Sequence, residues 1–482
     1  MRKVCLGAVG ALSMVFLVVG ISLLVARVLE KAVDGQVRQN IVLKNGTDVF
    51  EAWKDPPPPI HMQFYFFNYT NPLEILQGET PLVKQVGPYT YREYSSRIDV
   101  HIIDNGTKVT FFHPKTYVFV PEMSVGDPEV DLIRSVNMPA LMAMDMATAT
   151  PFHIPAEILL ILYEENLFLM RTVHELLWGY RDKLLTALHK FHSEIDPEFG
   201  YYYKMNGTSD GEYVVLSGKK SYLDFSRIVE WNGKSSLNWW TSSICNMING
   251  TDGESFHPLL GTDDTIYIFS SDFCRSLYLT FDRYVTVEGI PAYRFVPPKK
   301  IFENATVNPD NAGFCVPAGN CLGAGLLNVS ACKRGAPIFL SPPHFYESDE
   351  KYLNDIEGLH PNKEDHETFL DISPLTGILL RANKRMQVNA RVQKLPDFVQ
   401  TGNIRTIYLP VLYINESVAI DKASAGKLKT LLLESSVITS IPFVIMAVGL
   451  ILGLVFTVFV CRPLQAREEG SKDERAPLIR TS

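Results

Sequence analysis

Two uncharged segments near the ends of the chain constrain its fold more than any other feature. Residues 4–26 and 437–461 contain no Asp, Glu, Lys or Arg. As helices they would each run about 35 Å, enough to cross a hydrocarbon core of about 30 Å. The alternative for the first segment is a cleaved signal peptide, but its apolar run exceeds the usual length of about 7–15 residues and "LLVARV" is a poor cleavage site. The sequence therefore predicts two transmembrane helices.

The two predicted spans place both termini on the same side of the membrane. Residues 1–3 and 462–482 then form short tails, and residues 27–436 form one large domain on the opposite side. Charges beside the first span orient it only weakly, because Arg2 and Arg27 lie on opposite sides of it. A different signal has to decide which side faces the cytosol.

Glycosylation sequons give that signal. The pattern Asn-x-Ser/Thr without proline occurs eight times, always between the two spans. This density indicates a glycosylated segment in the lumen of the secretory pathway, so both tails are predicted to be cytosolic. The predicted glycosylation sites are Asn45, Asn68, Asn105, Asn206, Asn249, Asn304, Asn328 and Asn415.

Cysteine placement agrees with a lumenal domain. Four cysteines lie close together in the sequence between the spans, as expected where disulfides persist. Four cysteines allow three pairings, and their spacing does not choose among them. Cys245 is left over and is predicted to be a buried thiol. The four candidates for disulfides are Cys274, Cys315, Cys321 and Cys332.

Most of the lumenal segment has the pattern of β-strands. The dipeptide Asn105-Gly106 separates "RIDVHII" from "KVTFFH" and predicts a hairpin with a solvent-facing tip. Apolar and polar residues also alternate in "TIYIF", "SLYLTFDRYVTVEG" and "RMQVNARVQ". Half-buried strands of this kind predict an antiparallel sheet or barrel. In the last run Met386, Val388, Ala390 and Val392 share one face, and Gln387, Asn389 and Arg391 share the other.

The pattern turns helical between about residues 131 and 193. "AEILLILYEENLFLMR" predicts a helix that Pro155 opens, and "TVHE" is a capping box that begins a second helix with an apolar stripe from Leu177 to Phe191. The two helices are predicted to form a small bundle. The first has more apolar surface than one packing seam needs, which indicates a docking face for a partner or a membrane contact. The predicted partner-binding residues are Ile158, Ile161, Leu162, Glu165, Leu167 and Phe168.

The chain contains no local motif typical of an enzyme. It has no G-x-S-x-G elbow, Walker loop, C-x-x-C pair or Rossmann fingerprint, and "HELLWGY" has Trp178 where a zincin has its second His. "HPNKEDHE", from His360 to Glu367, has the composition of a metal site, but a solvated loop is the favoured interpretation. We therefore predict no catalytic, cofactor-binding or metal-binding residues and no enzymatic activity. The net charge of −8 also argues against nucleic acid as a partner.

Histidines suggest a response to pH. All eleven lie between the two spans, and several fall in the predicted helical bundle. Imidazole, with an unperturbed pKa of about 6.5, gains its charge between neutral and lysosomal pH. A partner bound beside such a group could be held at one pH and released at the other, whereas the alternative is that exposed histidines titrate without consequence. The candidate pH sensors are His153 and His174.

Several longer motifs carry a resemblance to a known family. They are "NPLEIL", "VGPYTYRE", "WNG", "CNMINGTDGESFHP", "SDFCRS", "NAGFC" and "DISPLTG". Together with the two terminal spans, these motifs resemble the class B scavenger receptors over essentially the whole chain. "TVHELLWGY" and the tail "DERAPLIRTS" are similar to the lysosomal members of that family.

The resemblance implies an α+β membrane protein with an irregular antiparallel β-barrel, an internal lipid tunnel and an apical helical bundle. It also implies the disulfides Cys274–Cys332 and Cys315–Cys321. The implied function is a lysosomal membrane receptor that binds the hydrolase glucocerebrosidase through its apical helices, releases it at acidic pH and carries cholesterol or other lipids. The alternative is a scavenger-type lipid receptor or transporter with different or no protein cargo, because the segment from Ile158 to Met170 is unusually aliphatic for the docking helix of this family.

The C-terminal tail carries a predicted sorting signal. Glu474, three further residues and the pair Leu478-Ile479 match the [D/E]-x-x-x-L-[L/I] pattern that clathrin adaptor complexes bind. Such a pattern is meaningful on a short tail that follows a membrane span. It predicts adaptor complexes as cytosolic partners and the lysosomal membrane as the destination.

Overall fold

The computed structural model describes residues 2–148, 160, 161, 163 and 165–473. The chain divides into two compact units. Ile41–Ser424 form the first, and the terminal segments Met1–Asn40 and Ala425–Ser482 form the second.

The terminal unit is helical. Helix α1 covers Arg2–Val25, α2 covers Val28–Asn40, and the last helix, α10, covers Lys422–Asp473. Within them Gly7–Val25 and Lys422–Val460 are long and apolar enough to cross a membrane.

The two long apolar helices of this unit contact each other at small residues. The Ser13 hydroxyl donates to the carbonyl of Gly449 at 2.7 Å. A methyl group added at Gly20 would come within 2.5 Å of Met446. Small residues allow this close approach of two helices in a membrane.

The larger unit is built on an antiparallel sheet of eleven strands. The main path runs β12-β13-β14-β17-β18-β19-β1-β2-β5, and the hairpin β15-β16 joins it through β18. The strands are β1 Ile60–Tyr69, β2 Val83–Ser95, β5 Lys115–Phe119, β12 Thr265–Ser270, β13 Arg275–Val287, β14 Ile290–Val296, β15 Leu327–Asn328, β16 Ile338–Ser341, β17 Phe369–Ile372, β18 Leu379–Val392 and β19 Ile407–Ala419.

Three small sheets complete the β-structure of the described residues. They have the orders β11-β10-β4-β3, β6-β7 and β8-β9. Their strands are β3 Ile98–Ile103, β4 Lys108–Phe112, β6 Leu132–Val136, β7 Phe168–Thr172, β8 Tyr180–Arg181, β9 Glu198–Phe199, β10 Glu212–Leu216 and β11 Ile228–Trp231. The predicted hairpin at Asn105 is confirmed: β3 and β4 pair across it, and Asn105 has a left-handed φ of 53° at the exposed tip.

Short helices connect the strands. They are α3 Asp48–Lys54, α4 Pro72–Gln77, α5 Met138–Thr148, α6 Val173–Trp178, α7 Lys183–His189, α8 Glu350–Asn354 and α9 Lys363–His366. The mixed α+β class with a large antiparallel sheet is therefore confirmed. The closed barrel and the lipid tunnel stay predictions.

The prediction of one helix from residue 156 to 171 is wrong at its C-terminal end. Phe168–Thr172 form strand β7, which pairs with β6 in the register Leu132↔Thr172 to Val136↔Phe168. A segment that is apolar on most sides suits a strand as well as a helix, and here pairing with β6 decides the outcome.

The second predicted helix is interrupted. The capping box of Thr172 and Glu175 is confirmed at the start of α6, but the helix ends at Trp178. Gly179 follows with a φ of 120°, and a Cβ there would lie 2.7 Å from the ring of Tyr203. The region predicted as a helical bundle is therefore a mixture of α5, α6 and α7 with β6, β7 and β8.

The predicted faces of β18 are also wrong in part. Gln387 and Asn389 are fully buried instead of facing solvent. Gln387 donates to Asn389 at 2.8 Å and accepts from the backbone N–H of His344 at 2.7 Å. This stretch is paired on both sides, by β16 and β19, and it is covered on both faces, so its polar residues need internal partners.

Candidate functional site

A cavity of about 170 Å³ lies within the larger unit, and we call it the sheet cavity. Apolar side chains from several strands of the large sheet form much of its wall. They come from β1, β12, β13, β17 and β19, whose alternating residues point to the same face of the sheet. Examples are Met62, Ile268, Leu277, Leu279, Leu370 and Ile414.

One part of the wall carries a half-buried ion pair. The Lys384 ammonium lies 2.7 Å from the Glu416 carboxylate, and both residues line the sheet cavity. Burial alone would raise the pKa of Glu416, but Lys384 and Lys115 lower it to about 2, so this carboxylate keeps its charge in acid. Nearby, Lys115 lies 3.2 Å from Glu93, and burial raises the pKa of Glu93 to about 6 despite that contact.

A second part of the wall is formed by His366, which stacks on His344 with ring centroids 4.4 Å apart. Each Nδ1 accepts a backbone N–H at 2.9 Å, from His360 to His344 and from Asn362 to His366. Burial lowers the pKa of His344 to about 3 and that of His366 to about 4. Both rings are therefore neutral at lysosomal pH. The prediction of a solvated loop is wrong for His366, which is 5% exposed.

A separate polar group, apart from the wall of the sheet cavity, is centred on Arg97, whose side chain is fully buried. Its guanidinium pairs with Asp252 and, at 2.8 Å, with Glu254, and it lies 4.7 Å from the centroid of the Trp53 ring. His113 Nε2 lies 3.7 Å from the Glu254 carboxylate. We call these four polar residues, Arg97, His113, Asp252 and Glu254, the Arg97 cluster. No local motif in the sequence marks this cluster, because Arg97 and Asp252 are 155 residues apart.

The structure separates the predicted docking residues. Ile158 and Leu162 lie outside the described residues. Ile161 is 56% exposed, whereas Leu167 is fully buried and cannot contact a partner in this conformation. Two further predicted docking residues contact the rest of the fold. Glu165 accepts a hydrogen bond from Asn137 at 2.7 Å, and the ring of Phe168 lies 5.1 Å from that of Tyr69. The prediction is therefore wrong for Leu167, because β7 turns that end of the segment into the core.

The strand pair β6-β7 exposes a different apolar surface. Val130, Leu132 and Met170 are each more than 40% exposed. Leu132 and Met170 lie diagonally across the two strands, because Leu132 pairs with Thr172. We call these three residues the β6-β7 surface.

One of the two candidate pH sensors lies close to this surface. His174 Nδ1 is 2.8 Å from the Glu129 carboxylate, and both side chains are exposed. Glu129 directly precedes Val130, and His174 follows the end of β7 by two residues. His153 lies outside the described residues.

The predicted glycosylation sites differ in exposure. Asn415 is 6% exposed, and its Nδ2 donates both hydrogens, to Gln63 at 2.8 Å and to Asn383 at 3.2 Å. A glycan replaces one of those hydrogens and needs space, so glycosylation of Asn415, which stays a prediction, requires a side-chain position other than the one described. Asn45, Asn105 and Asn206 are exposed, and Asn68, Asn249, Asn304 and Asn328 are half-buried.

The cysteines pair as the resemblance implies. The structure contains the disulfides Cys274–Cys332 and Cys315–Cys321. The prediction that Cys245 is a buried free thiol is also confirmed. The sorting residues Glu474, Leu478 and Ile479 lie outside the described residues.

Comparison with known proteins identifies the family. The model of the CD36 family matches residues 11–460. Lysosome membrane protein 2 of Rattus norvegicus and that of Homo sapiens are each 54% identical over 481 residues, which is 100% of this chain and of each relative. Scavenger receptor class B member 1 of Sus scrofa is 35% identical over 92% of this chain and 88% of its own length. The resemblance to class B scavenger receptors is confirmed, and this chain belongs to the CD36 family.

Proposed function

We propose that this chain is a non-enzymatic receptor of the lysosomal membrane that binds a glucocerebrosidase-like hydrolase in the lumen and delivers it to lysosomes. Support comes from relatives called lysosome membrane protein 2 that are 54% identical over the whole chain. The observation that carries the docking part is the β6-β7 surface with the His174–Glu129 pair close to it. In this proposal both termini face the cytosol.

The same surface suggests how cargo is released in acid. Exposed apolar side chains of this kind mark protein-binding sites, and the charged groups around them set the electrostatic match with a partner. Protonation of the imidazole beside them removes the net negative charge of its pair with Glu129, which alters that match in acid. Glu129 is the carboxylate that faces His174, and Asp127 and Asp131 belong to the same turn. We propose that cargo binds at neutral pH and dissociates at lysosomal pH.

Capture of glucocerebrosidase by the full-length chain in detergent tests this docking surface. We expect Leu132→Glu and Met170→Glu to lower capture at pH 7 by at least about tenfold, because each places a carboxylate in an apolar contact. Val399→Glu is the matched control, since Val399 is 70% exposed and lies elsewhere. Undiminished capture by both variants, with both disulfides formed, would remove the β6-β7 surface as the docking site.

The cytosolic tail is proposed to deliver the receptor through clathrin adaptors. An extended peptide can offer the Leu478-Ile479 pair to an apolar pocket and Glu474 to a basic patch. We expect the double variant Leu478→Ala, Ile479→Ala to accumulate at the cell surface, as measured by surface biotinylation. A control variant that changes Arg480 and Thr481 to Ala keeps the motif and should reach lysosomes. Normal lysosomal delivery of the Leu478, Ile479 variant would contradict the proposal.

The sheet cavity supports a lipid-carrying role as well. Its apolar wall can contact part of an acyl chain or of a sterol, and the relatives called scavenger receptor belong to the same family. Photo-crosslinking of a sterol probe to the full-length chain tests this role. We expect Leu277→Trp, which fills part of the cavity, to reduce labelling, whereas Leu73→Trp at a 69% exposed position should not. Equal labelling of all three proteins would argue against the sheet cavity as the lipid site.

A further inference from the structure

The Arg97 cluster contains three side chains of the types that bind transition metals. His113, Asp252 and Glu254 each offer one ligand atom, and these atoms lie within 4.8 Å of one another. His113 directly follows β4, and the two carboxylates belong to the loop between β11 and β12. The fold therefore brings an imidazole to two carboxylates from a distant part of the chain.

The imidazole of His113 has a free ring nitrogen directed at this group. The side chain is 6% exposed, and Nε2 is buried without a hydrogen-bond partner. The nearest carboxylate oxygen, Glu254 Oε1, lies 3.7 Å away, which is too long for a hydrogen bond. A buried nitrogen of this kind normally has a partner, so the position calls for a group that Nε2 can bind.

Arg97 fixes the positions of the two carboxylates. Arg97 binds Asp252 Oδ2 and Glu254 Oε2, which leaves Glu254 Oε1 directed towards His113. Hydrogen bonds from a neighbouring side chain to a metal-binding carboxylate are typical of metal sites, because they fix the direction of each ligand. Phe111 supports the imidazole, with ring centroids 6.2 Å apart.

The charges of the surroundings also leave room for a cation. Two carboxylates face one guanidinium in the Arg97 cluster, so one negative charge remains. At neutral pH the neighbouring pairs Lys115–Glu93 and Lys384–Glu416 are each balanced and supply no further positive charge. A divalent cation would change this net charge from −1 to +1, and deprotonation of its water ligand to hydroxide would bring it to zero.

We propose that His113, Asp252 and Glu254 bind one divalent transition-metal cation, with Zn²⁺ as the preferred ion. One nitrogen and two carboxylate oxygens suit Zn²⁺ better than Ca²⁺ or Mg²⁺, which prefer oxygen ligands alone. Three protein ligands with a water in the fourth position form a tetrahedral site, in which ligand atoms lie about 3.4 Å apart. The separation of up to 4.8 Å requires the three side chains to close by roughly 1 Å around the ion.

Zinc binding by the full-length chain in detergent tests the proposal. The protein is stripped with a chelator, equilibrated with Zn²⁺, passed over a desalting column and measured by elemental analysis together with a competing chromophoric chelator. We expect one Zn²⁺ per chain. His113→Leu should weaken binding at least about 100-fold, because it removes the only nitrogen ligand of the proposed site. The matched control His101→Leu, at an exposed position of β3, should bind like the unchanged protein.

Thermal unfolding separates a lost ligand from a lost fold. His113→Leu removes an unpaired polar atom from the interior, so the metal-free variant should unfold at the same temperature as the metal-free parent or higher. Added Zn²⁺ should raise the unfolding temperature of the parent and of His101→Leu but not that of His113→Leu. Absence of Zn²⁺ binding by the parent, or equal binding by His113→Leu, would overturn the proposal.

Discussion

Two buried polar groups in the larger unit offset the cost of burying polar atoms in opposite ways. The Arg97 cluster keeps its charges and balances most of them, with a guanidinium between two carboxylates. The stacked pair of His344 and His366 avoids charge, because each ring accepts a backbone N–H and stays neutral. Both groups join residues that are distant in sequence. One interior thus holds ionised polar groups that are stabilised by ion pairs and neutral polar groups that are stabilised by backbone hydrogen bonds.

The two groups respond to acid in different pH ranges. The unfolded chain binds protons at histidine below a pKa of 6.5, whereas the folded state resists until about pH 3 at His344 and about pH 4 at His366. Stability from these two residues is therefore present above pH 6.5 and falls as the pH decreases. Arg97 helps lower the pKa of Asp252 to about 2 although burial acts against it, so the stability due to Asp252 is lost only as the pH falls from about 4 towards 2.

Glu93 acts in the opposite sense to the histidines. Burial raises its pKa in the folded state to about 6, compared with an ordinary value of 4.5. The folded state therefore binds this proton before the unfolded chain does, and stability from Glu93 increases as the pH falls from about 6 to 4.5. Between neutral and lysosomal pH, one buried carboxyl group thus offsets part of the loss due to the two histidines.

The largest effect on the free energy of unfolding is expected for a substitution in the Arg97 cluster. Arg97→Leu leaves Asp252 and Glu254 buried without their cation. We expect a loss of about 3–5 kcal/mol in the free energy of unfolding, because breaking a buried ion pair by removing one partner strands the remaining charge. Denaturant unfolding of the full-length chain in detergent, followed by tryptophan fluorescence, measures this loss.

Arg227 provides the control for Arg97. It pairs with Asp224 at 2.9 Å, but both side chains are about one-third or more exposed. Arg227→Leu should change the free energy of unfolding by no more than about 1 kcal/mol. If Arg97→Leu lowers the free energy of unfolding no more than Arg227→Leu does, Arg97 does not stabilise the buried charges of Asp252 and Glu254.

A smaller effect on stability, confined to pH values below about 6.5, is expected for a substitution in the stacked histidine pair. Asn at position 366 retains an acceptor near the place of Nδ1 but has no proton to gain. Each pH unit below 6.5 costs about 1.4 kcal/mol for a histidine that stays neutral in the fold, so His366 costs up to about 2 kcal/mol between pH 6.5 and 5. His366→Asn should remove that part of the decline in stability, as measured by unfolding at a series of pH values.

The exposed His101 is the matched control for His366. His101→Asn should leave the decline below pH 6.5 unchanged. If the stability of His366→Asn falls as steeply with pH as that of the parent protein, His366 does not make the fold sensitive to acid in this range.

Local signals predicted local structure well. Asn105-Gly106 predicted the β3-β4 hairpin, and Thr172 with Glu175 predicted the start of α6, because a tight turn and a capping box need only neighbouring residues. The prediction of a helix at Phe168–Thr172 is wrong because the outcome depends on β6, which lies more than thirty residues earlier. Periodicity is ambiguous in a segment that is apolar on most sides.

Buried polar residues were the hardest to predict. Gln387 alternates with apolar neighbours and therefore has the pattern of a solvent face, yet it lies in the core with Asn389 and the backbone of His344. His366 stands in a polar stretch that resembles a solvated loop. In both cases one partner, His344, lies far away along the chain, and a single sequence contains no local record of that contact.

The smallest effect on stability is expected at the exposed His174, which contrasts with the two buried histidines. Its pair with Glu129 is 2.8 Å long, but the two side chains are 42% and 63% exposed, so solvent screens the interaction. His174→Gln should change the free energy of unfolding by less than about 1 kcal/mol at both pH 7 and pH 5. The proposed role in cargo release nevertheless predicts a functional change, because glutamine gains no charge in acid. Capture of glucocerebrosidase by His174→Gln should then persist at pH 5, whereas the parent protein and His101→Gln release it. Release by all three proteins at pH 5 would assign acid sensing to another group and leave His174 as an ordinary surface residue.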